Sequence, residues 1–161
     1  MTQTERYLIR VAVAAMIVAA EALAEERRVS GRRIVVSIPE RRLMLIEGGA
    51  VLKTYTVAVG TPATPTPAGT FEVVTRVTNP AWYLPGKVVP PGPNNPLGPR
   101  WIGLSRKGYG IHGTDSPRSI GRAKSHGCVR MRNADVEELF ELVQVGDIIE
   151  LQAEHVEAGG E

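Results

Sequence analysis

The chain of 161 residues holds one cysteine, Cys128, in the run Ser125-His126-Gly127-Cys128-Val129-Arg130-Met131. A thiol attacks a carbonyl only as thiolate, so its ordinary pKa of about 8.5 must be lowered by positive charge, a histidine or a helix N-terminus. His112, His126 and the cations Arg118, Arg122, Lys124, Arg130 and Arg132 all stand near it in sequence. Gly127 permits backbone conformations closed to other residues, so the N–H groups of Gly127 and Cys128 are expected to turn toward one point and hold a developing oxyanion. A sulfur nucleophile, a proton-carrying imidazole and paired backbone donors are the parts of acyl transfer through a covalent intermediate. Spacing leaves the base open. His126 lies two residues before the thiol, on its side of an extended segment, whereas His112 ends an apolar run and needs the chain to fold back. Two competing readings are an inert thiol and a zinc site from His112, His126, Cys128 and His155, although His126 and Cys128 lack the usual ligand spacing. No metal and no cofactor is expected.

The elements that must position these groups follow from pattern. Ile34 to Ile38, Leu43 to Ile46, Val51 to Val59 and Thr70 to Val77 read as strands, with the glycine pair of Glu47-Gly48-Gly49-Ala50 signalling a hairpin. From Asn79 to Arg100 the chain holds seven of its twelve prolines. Proline lacks a backbone donor and fixes φ, so this stretch is excluded as a central strand or helix interior and reads as a lid or groove wall anchored by Trp82, Tyr83 and Trp101. Trp101 to Leu104 and Tyr109 to His112 then read as strands, and Ser116-Pro117 opens a turn. Val136, Leu139, Phe140 and Val143 share one face of a helix over about 134–143, with Asn133 or Asp135 as its cap, before a last strand from Ile148 to Leu151.

The N-terminal 24 residues read as a secretory signal peptide: Arg6 and Arg10, an apolar stretch from Val11 to Ala20, then small residues at 22 and 24. That stretch is well short of the roughly 20 residues a spanning helix needs, so no permanent membrane span is expected. Residues 25–32 serve as a linker, 33–152 as one domain and 153–161 as a polar acidic tail. A formal net charge of +2 gives no reason to expect a nucleic-acid partner.

The segment GIHGTDSPRSIGRAKSHGCVRMRNADVEELFELVQVGDIIEL, together with TPTPAGTF upstream, resembles the YkuD-type L,D-transpeptidase catalytic domain over about 33–151. The paired I-H-G-T and S-H-G-C-x-R blocks carry the resemblance. It implies a mainly β (α+β) fold, a β-sandwich or barrel with one or two short helices packed on it. It implies an exported, periplasmic, wall-associated enzyme whose partners are peptidoglycan stem peptides. Such an enzyme attacks the third-residue carbonyl of a tetrapeptide stem, holds it as a thioester and passes it to an amine of another stem, giving a 3→3 cross-link. Carried over by position, Cys128 is the nucleophile and His112 the base. The carbonyl of Gly113 orients that base, Gly127 and Cys128 supply the oxyanion donors, and His126 is a further catalytic candidate. Arg130 would clamp a substrate carboxylate, with Ser125, Tyr109 and Trp82 as further substrate contacts. Asp115 reads as a cap on the turn at Ser116-Pro117. A carboxypeptidase using water as acceptor, a transferase to a lipoprotein lysine and a wall-binding module without catalysis are the alternatives.

Overall fold

The structure, a computed structural model, describes residues 2–155, with the backbone alone for 23–30. One helix, α1 (Gln3–Ser30), covers most of what reads as signal and linker, and its side chains are exposed from Gln3 to Ala22, Leu8, Val13, Met16 and Val18 included. No helix among the described residues is long and apolar enough to cross a membrane. The side chain of Ala24 and the tail residues 156–161 lie outside what is described.

The domain proper begins with β1 (Arg33–Ser37), β2 (Arg42–Glu47), β3 (Ala50–Thr56), β4 (Val59–Gly60) and β5 (Gly69–Thr78). Next come β6 (Trp82–Leu84), β7 (Lys87–Val89), β8 (Arg100–Leu104), β9 (Gly110–His112) and a 3-10 turn at Pro117–Ser119. The chain finishes with β10 (Ala123–Ser125), β11 (Val129–Arg130), α2 (Asn133–Leu142) and β12 (Ile148–Gln152). Eight strands make one mixed sheet in the order β11-β9-β8-β5-β12-β1-β2-β3. Its two edges are drawn together where Ala58, just past β3, exchanges backbone hydrogen bonds of 2.8 and 2.9 Å with Arg130 of β11. The sheet therefore curls on itself, and the mainly β expectation with few helices holds.

Alternation builds the core. Ile34 and Val36 of β1 and Leu43 and Leu45 of β2 are wholly buried, as are Val136 and Leu139 of α2, with Phe140 beside them. Burying each such side chain is worth roughly 1.5–3 kcal/mol, which seats α2 on the sheet whatever its intrinsic helix preference. Gly48 and Gly49, at φ +58 and +80, make the two-residue turn between β2 and β3 that the glycine pair predicts.

Two expectations about caps are corrected. Arg132 occupies the N-cap position of α2 without a side-chain cap bond; Asn133 is already helical, and Asp135 stands 3.9 Å from Arg132 in an ion pair. Asp115 likewise leaves the 3-10 turn uncapped and accepts a bond from the Ser116 hydroxyl instead, at 2.9 Å.

The proline-rich stretch contributes no strand to the large sheet, as its prolines require, but it carries a hairpin of its own, β6 with β7. Asn95, only 1% exposed, ties it down. Its Nδ2 donates to the carbonyls of Pro80 (2.8 Å), Pro90 (3.1 Å) and Val89 (3.3 Å), and its Oδ1 accepts from the Leu97 N–H (2.9 Å). One carboxamide thus serves backbone groups that a proline-rich chain cannot pair with itself.

Candidate active site

Strands β9 and β11 run parallel with Ile111 opposite Val129 and His112 opposite Arg130. Ile111 and Val129 point into the core. Strand alternation therefore puts His112 and Arg130 on the other face, with Cys128 just before β11 on the same side. The His112 backbone is held from two neighbours: its carbonyl accepts from the Met131 N–H at 2.8 Å, and the next N–H, of Gly113, donates to the Arg100 carbonyl at 3.3 Å. Trp101 faces His112 across β8 and β9 and stacks on it, centroids 5.7 Å apart and planes at 19°. The indole also explains Gly110, where a Cβ would come within 2.6 Å of the ring.

Nδ1 of His112 lies 2.6 Å from the Gly113 carbonyl. A carbonyl oxygen only accepts, so Nδ1 carries the proton and Nε2 keeps its lone pair. The Cys128 thiol donates a long bond to the Gly108 carbonyl, at 3.6 Å. It sits where two clefts meet. One, of about 190 Å³, is lined by His112, Ser125, His126, Arg130, Trp82, Pro96, Leu97 and the thiol. The other, of about 500 Å³ and mostly apolar, shares Trp82, Leu97 and Cys128 and extends past Trp101 and Tyr83. A third hollow of about 280 Å³, lined in part by Gly98, Thr114, Asn133 and Glu137, holds neither sulfur nor imidazole.

The fold thus gathers Cys128, His112, Ser125, His126, Arg130 and Trp82 around one cleft. The Gly127 N–H does not face a cleft, because it donates to the Ser125 hydroxyl at 3.1 Å. That hydroxyl in turn donates to the Cys128 carbonyl at 2.5 Å. Ser125, 2% exposed, therefore braces the cysteine loop and also lines the smaller cleft beside the thiol. Of the expected oxyanion pair only the Cys128 N–H is left for the role. Gly127 is needed for another reason: at φ +116 it packs on Tyr109, whose ring would lie 2.8 Å from a Cβ there. Tyr109 packs against the loop, with the Arg106 guanidinium 5.0 Å from its ring centre.

Electrostatics also differ from expectation. Burial pushes the His112 imidazole down to about 4; the Gly113 carbonyl opposes this, Arg130 adds to it, and Asp115 opposes it. Burial likewise pushes the Cys128 thiol up, outweighing the Gly110 backbone and Arg130, which favour thiolate. Arg118, Arg122, Lys124 and Arg132 are exposed on the surface, and Arg130 alone of the five cations acts on the sulfur. The resting pair is thus a thiol and a neutral imidazole. Such a pair can generate a nucleophile only if a base such as Nε2 takes the thiol proton as sulfur bonds to carbon. His155, the fourth donor of the zinc reading, stands on the surface 3.7 Å from Glu40, and no metal-binding cluster occurs among the described residues.

Sequence reasoning takes Trp101 as an anchor of the proline-rich loop and gives no function to Asn95. Their contacts with His112 and with the loop carbonyls depend on strand register and chain reversal, which spacing does not reveal.

The sequence profile of the YkuD L,D-transpeptidase catalytic domain matches residues 31–151. The chain is 45% identical over 114 residues to YkuD of Bacillus licheniformis, an alignment covering 71% of this chain and 61% of that one. It therefore spans less than two thirds of that relative's length. Among solved structures it is similar to the catalytic domain of the Enterococcus faecium L,D-transpeptidase, with TM-score 0.62 and 25% identity over 76% of this chain and 98% of that one. It is also similar to the L,D-transpeptidase LdtMt1 in complex with imipenem, with TM-score 0.63 and 25% identity over 75% of this chain and 58% of that one.

Proposed function

The chain belongs to the YkuD family of L,D-transpeptidase catalytic domains, and from that membership we propose that it is an exported peptidoglycan L,D-transpeptidase acting through Cys128. The observation that carries this reading is the thiol at the junction of two clefts, beside an imidazole whose Nε2 is free of the proton. One cleft suits the donor stem and the other the acceptor, so both can reach the same sulfur from different directions.

In the first half-reaction Cys128 Sγ bonds to the third-residue carbonyl carbon while its proton passes to His112 Nε2. The Cys128 N–H stabilises the oxyanion, a role typically worth a few kcal/mol. Collapse breaks the bond to the fourth residue, whose departing amine takes the proton from Nε2, and leaves a thioester. An acceptor amine then attacks that carbonyl and gives its proton to Nε2. The second collapse releases Sγ, which recovers the proton as thiol, and the stems are joined 3→3. Arg130, on the shared face with His112, is placed to pair with a stem carboxylate. His126 lines the same cleft and is a further proton carrier or substrate contact. Export to the wall rests on reading the N-terminal 24 residues as a signal peptide, and the exposed apolar side chains of α1 support that reading.

Disaccharide-tetrapeptide incubated with the protein should give cross-linked dimers by mass. Tripeptide alone would make water the acceptor, and unchanged substrate would refute catalysis. A carbapenem should add covalently to the wild type and leave Cys128→Ala unmodified; equal labelling of both would remove Cys128 from the mechanism.

A further inference from the structure

The peptide linking Gly113 to Thr114 is bonded on both edges. Its carbonyl receives the Nδ1 proton of His112 at 2.6 Å, and its N–H, on the opposite side of the same planar unit, donates to Asn133 Oδ1 at 2.8 Å. The slot for that amide oxygen is built by two glycines from separate segments. A Cβ on Gly113 would lie 2.5 Å from Oδ1, and one on Gly98 would lie 2.6 Å from it. Asn133 comes from the first turn of α2, which is fixed by its buried Val136, Leu139 and Phe140. The helix forgoes a side-chain cap while this carboxamide reaches into the neighbouring loop.

We propose that Asn133 is a positioning residue for His112, acting through the Gly113–Thr114 peptide to hold the imidazole in the tautomer that leaves Nε2 unprotonated. Because the peptide is rigid, it cannot rotate away from Nδ1 without breaking the bond to Asn133 as well. Thr114 is 3% exposed, so an abandoned N–H there would be buried and unpaired, at a cost that opposes the rotation. A flipped peptide would present a donor to Nδ1. Nδ1 would have to accept, the proton would move to Nε2, and the ring could no longer take a proton from sulfur. The two bonds in series also polarise each other, strengthening the hold on Nδ1–H. This role rests on reading His112 as the base.

The test combines nitrogen-detected NMR of the His112 ring at neutral pH with turnover of disaccharide-tetrapeptide. Wild type should show Nδ1–H alone. Asn133→Ala should show a mixture with Nε2–H and a kcat lower by about tenfold or more, with KM within about twofold. Asn133→Asp keeps an acceptor oxygen and should keep the wild-type tautomer, with kcat within about threefold of wild type. Should the alanine variant fail to fold, Asn133→Ser, whose oxygen stops short of Thr114, takes its place. An unchanged tautomer in Asn133→Ala or its serine substitute, whatever its kcat, overturns the proposal, as does an Asp variant that behaves like Ala. Absence of turnover in the wild type would instead count against the proposed reaction, and the tautomers would still decide the role of Asn133.

Discussion

Replacing His112 by asparagine should abolish a specific acid sensitivity of the fold. Asparagine keeps a donor where Nδ1 stands, so the bond to Gly113 can survive, but it does not titrate. In the native protein the imidazole resists protonation down to about 4, whereas its ordinary value is 6.5. Between those values the unfolded chain binds a proton that the folded one does not. Stability is therefore fully present above 6.5, falls as the pH drops through the window, and is lost to its full extent below 4. From pH 7 to pH 4.5 this one group should cost about 2.5 kcal/mol. Urea unfolding of both proteins at the two pH values reads the difference. The cavity left by the smaller side chain is the same at each pH and cancels, as do carboxylates that titrate in both. With a slope of roughly 1–3 kcal/mol per molar urea, the wild-type midpoint should fall by about 0.8–2.5 M more than that of the variant. Parallel loss in both proteins would mean that His112 is not held neutral by its surroundings, and the account of the resting site would fail with it.

Because burial raises the Cys128 thiol, its alkylation by iodoacetamide should accelerate steadily as pH rises past the ordinary thiol range; a flat rate between pH 5 and 7 would reveal a preformed thiolate–imidazolium pair instead. Gly127→Ala meets both a φ of +116 and the Tyr109 ring at 2.8 Å. It should lose about 1–3 kcal/mol in urea unfolding along with most turnover, and wild-type stability would contradict the packing described. Asn95→Ala leaves the carbonyls of Pro80, Val89 and Pro90 without their shared donor. Limited proteolysis within 80–97 should quicken and KM should rise more than kcat falls, whereas an unchanged cleavage pattern would show that the loop is held by other contacts.

The large strands and α2 were legible because their apolar spacing repeats over many residues, and the turn at Gly48-Gly49 because its conformation demands glycine. Strands β4, β10 and β11 were not, since two or three residues carry no period and their pairing is imposed by the curled sheet. The chemistry showed in the same uneven way. Cys128, His112 and Gly113 could be picked out from residue type and the paired blocks around them. The bonds that link Gly127, Ser125 and Cys128 were not legible, because a hydroxyl two residues before a glycine has no visible direction until the loop is closed. The cations near Cys128 misled for a similar reason: proximity along the chain says nothing about burial, and burial governs the sulfur. Asn133 read as a helix cap, its commonest use, while its carboxamide crosses to a loop nineteen residues earlier.

Strands β1 and β12 are neighbours in the sheet, paired side by side from Arg33–Ile148 to Ser37–Gln152. They are also close to the first and last residues of the domain. As the ribosome delivers the chain from its N-terminus, β1 must wait with one edge open until nearly every other residue has emerged. Completion of the sheet around β1 is thus a late event in the synthesis of this domain.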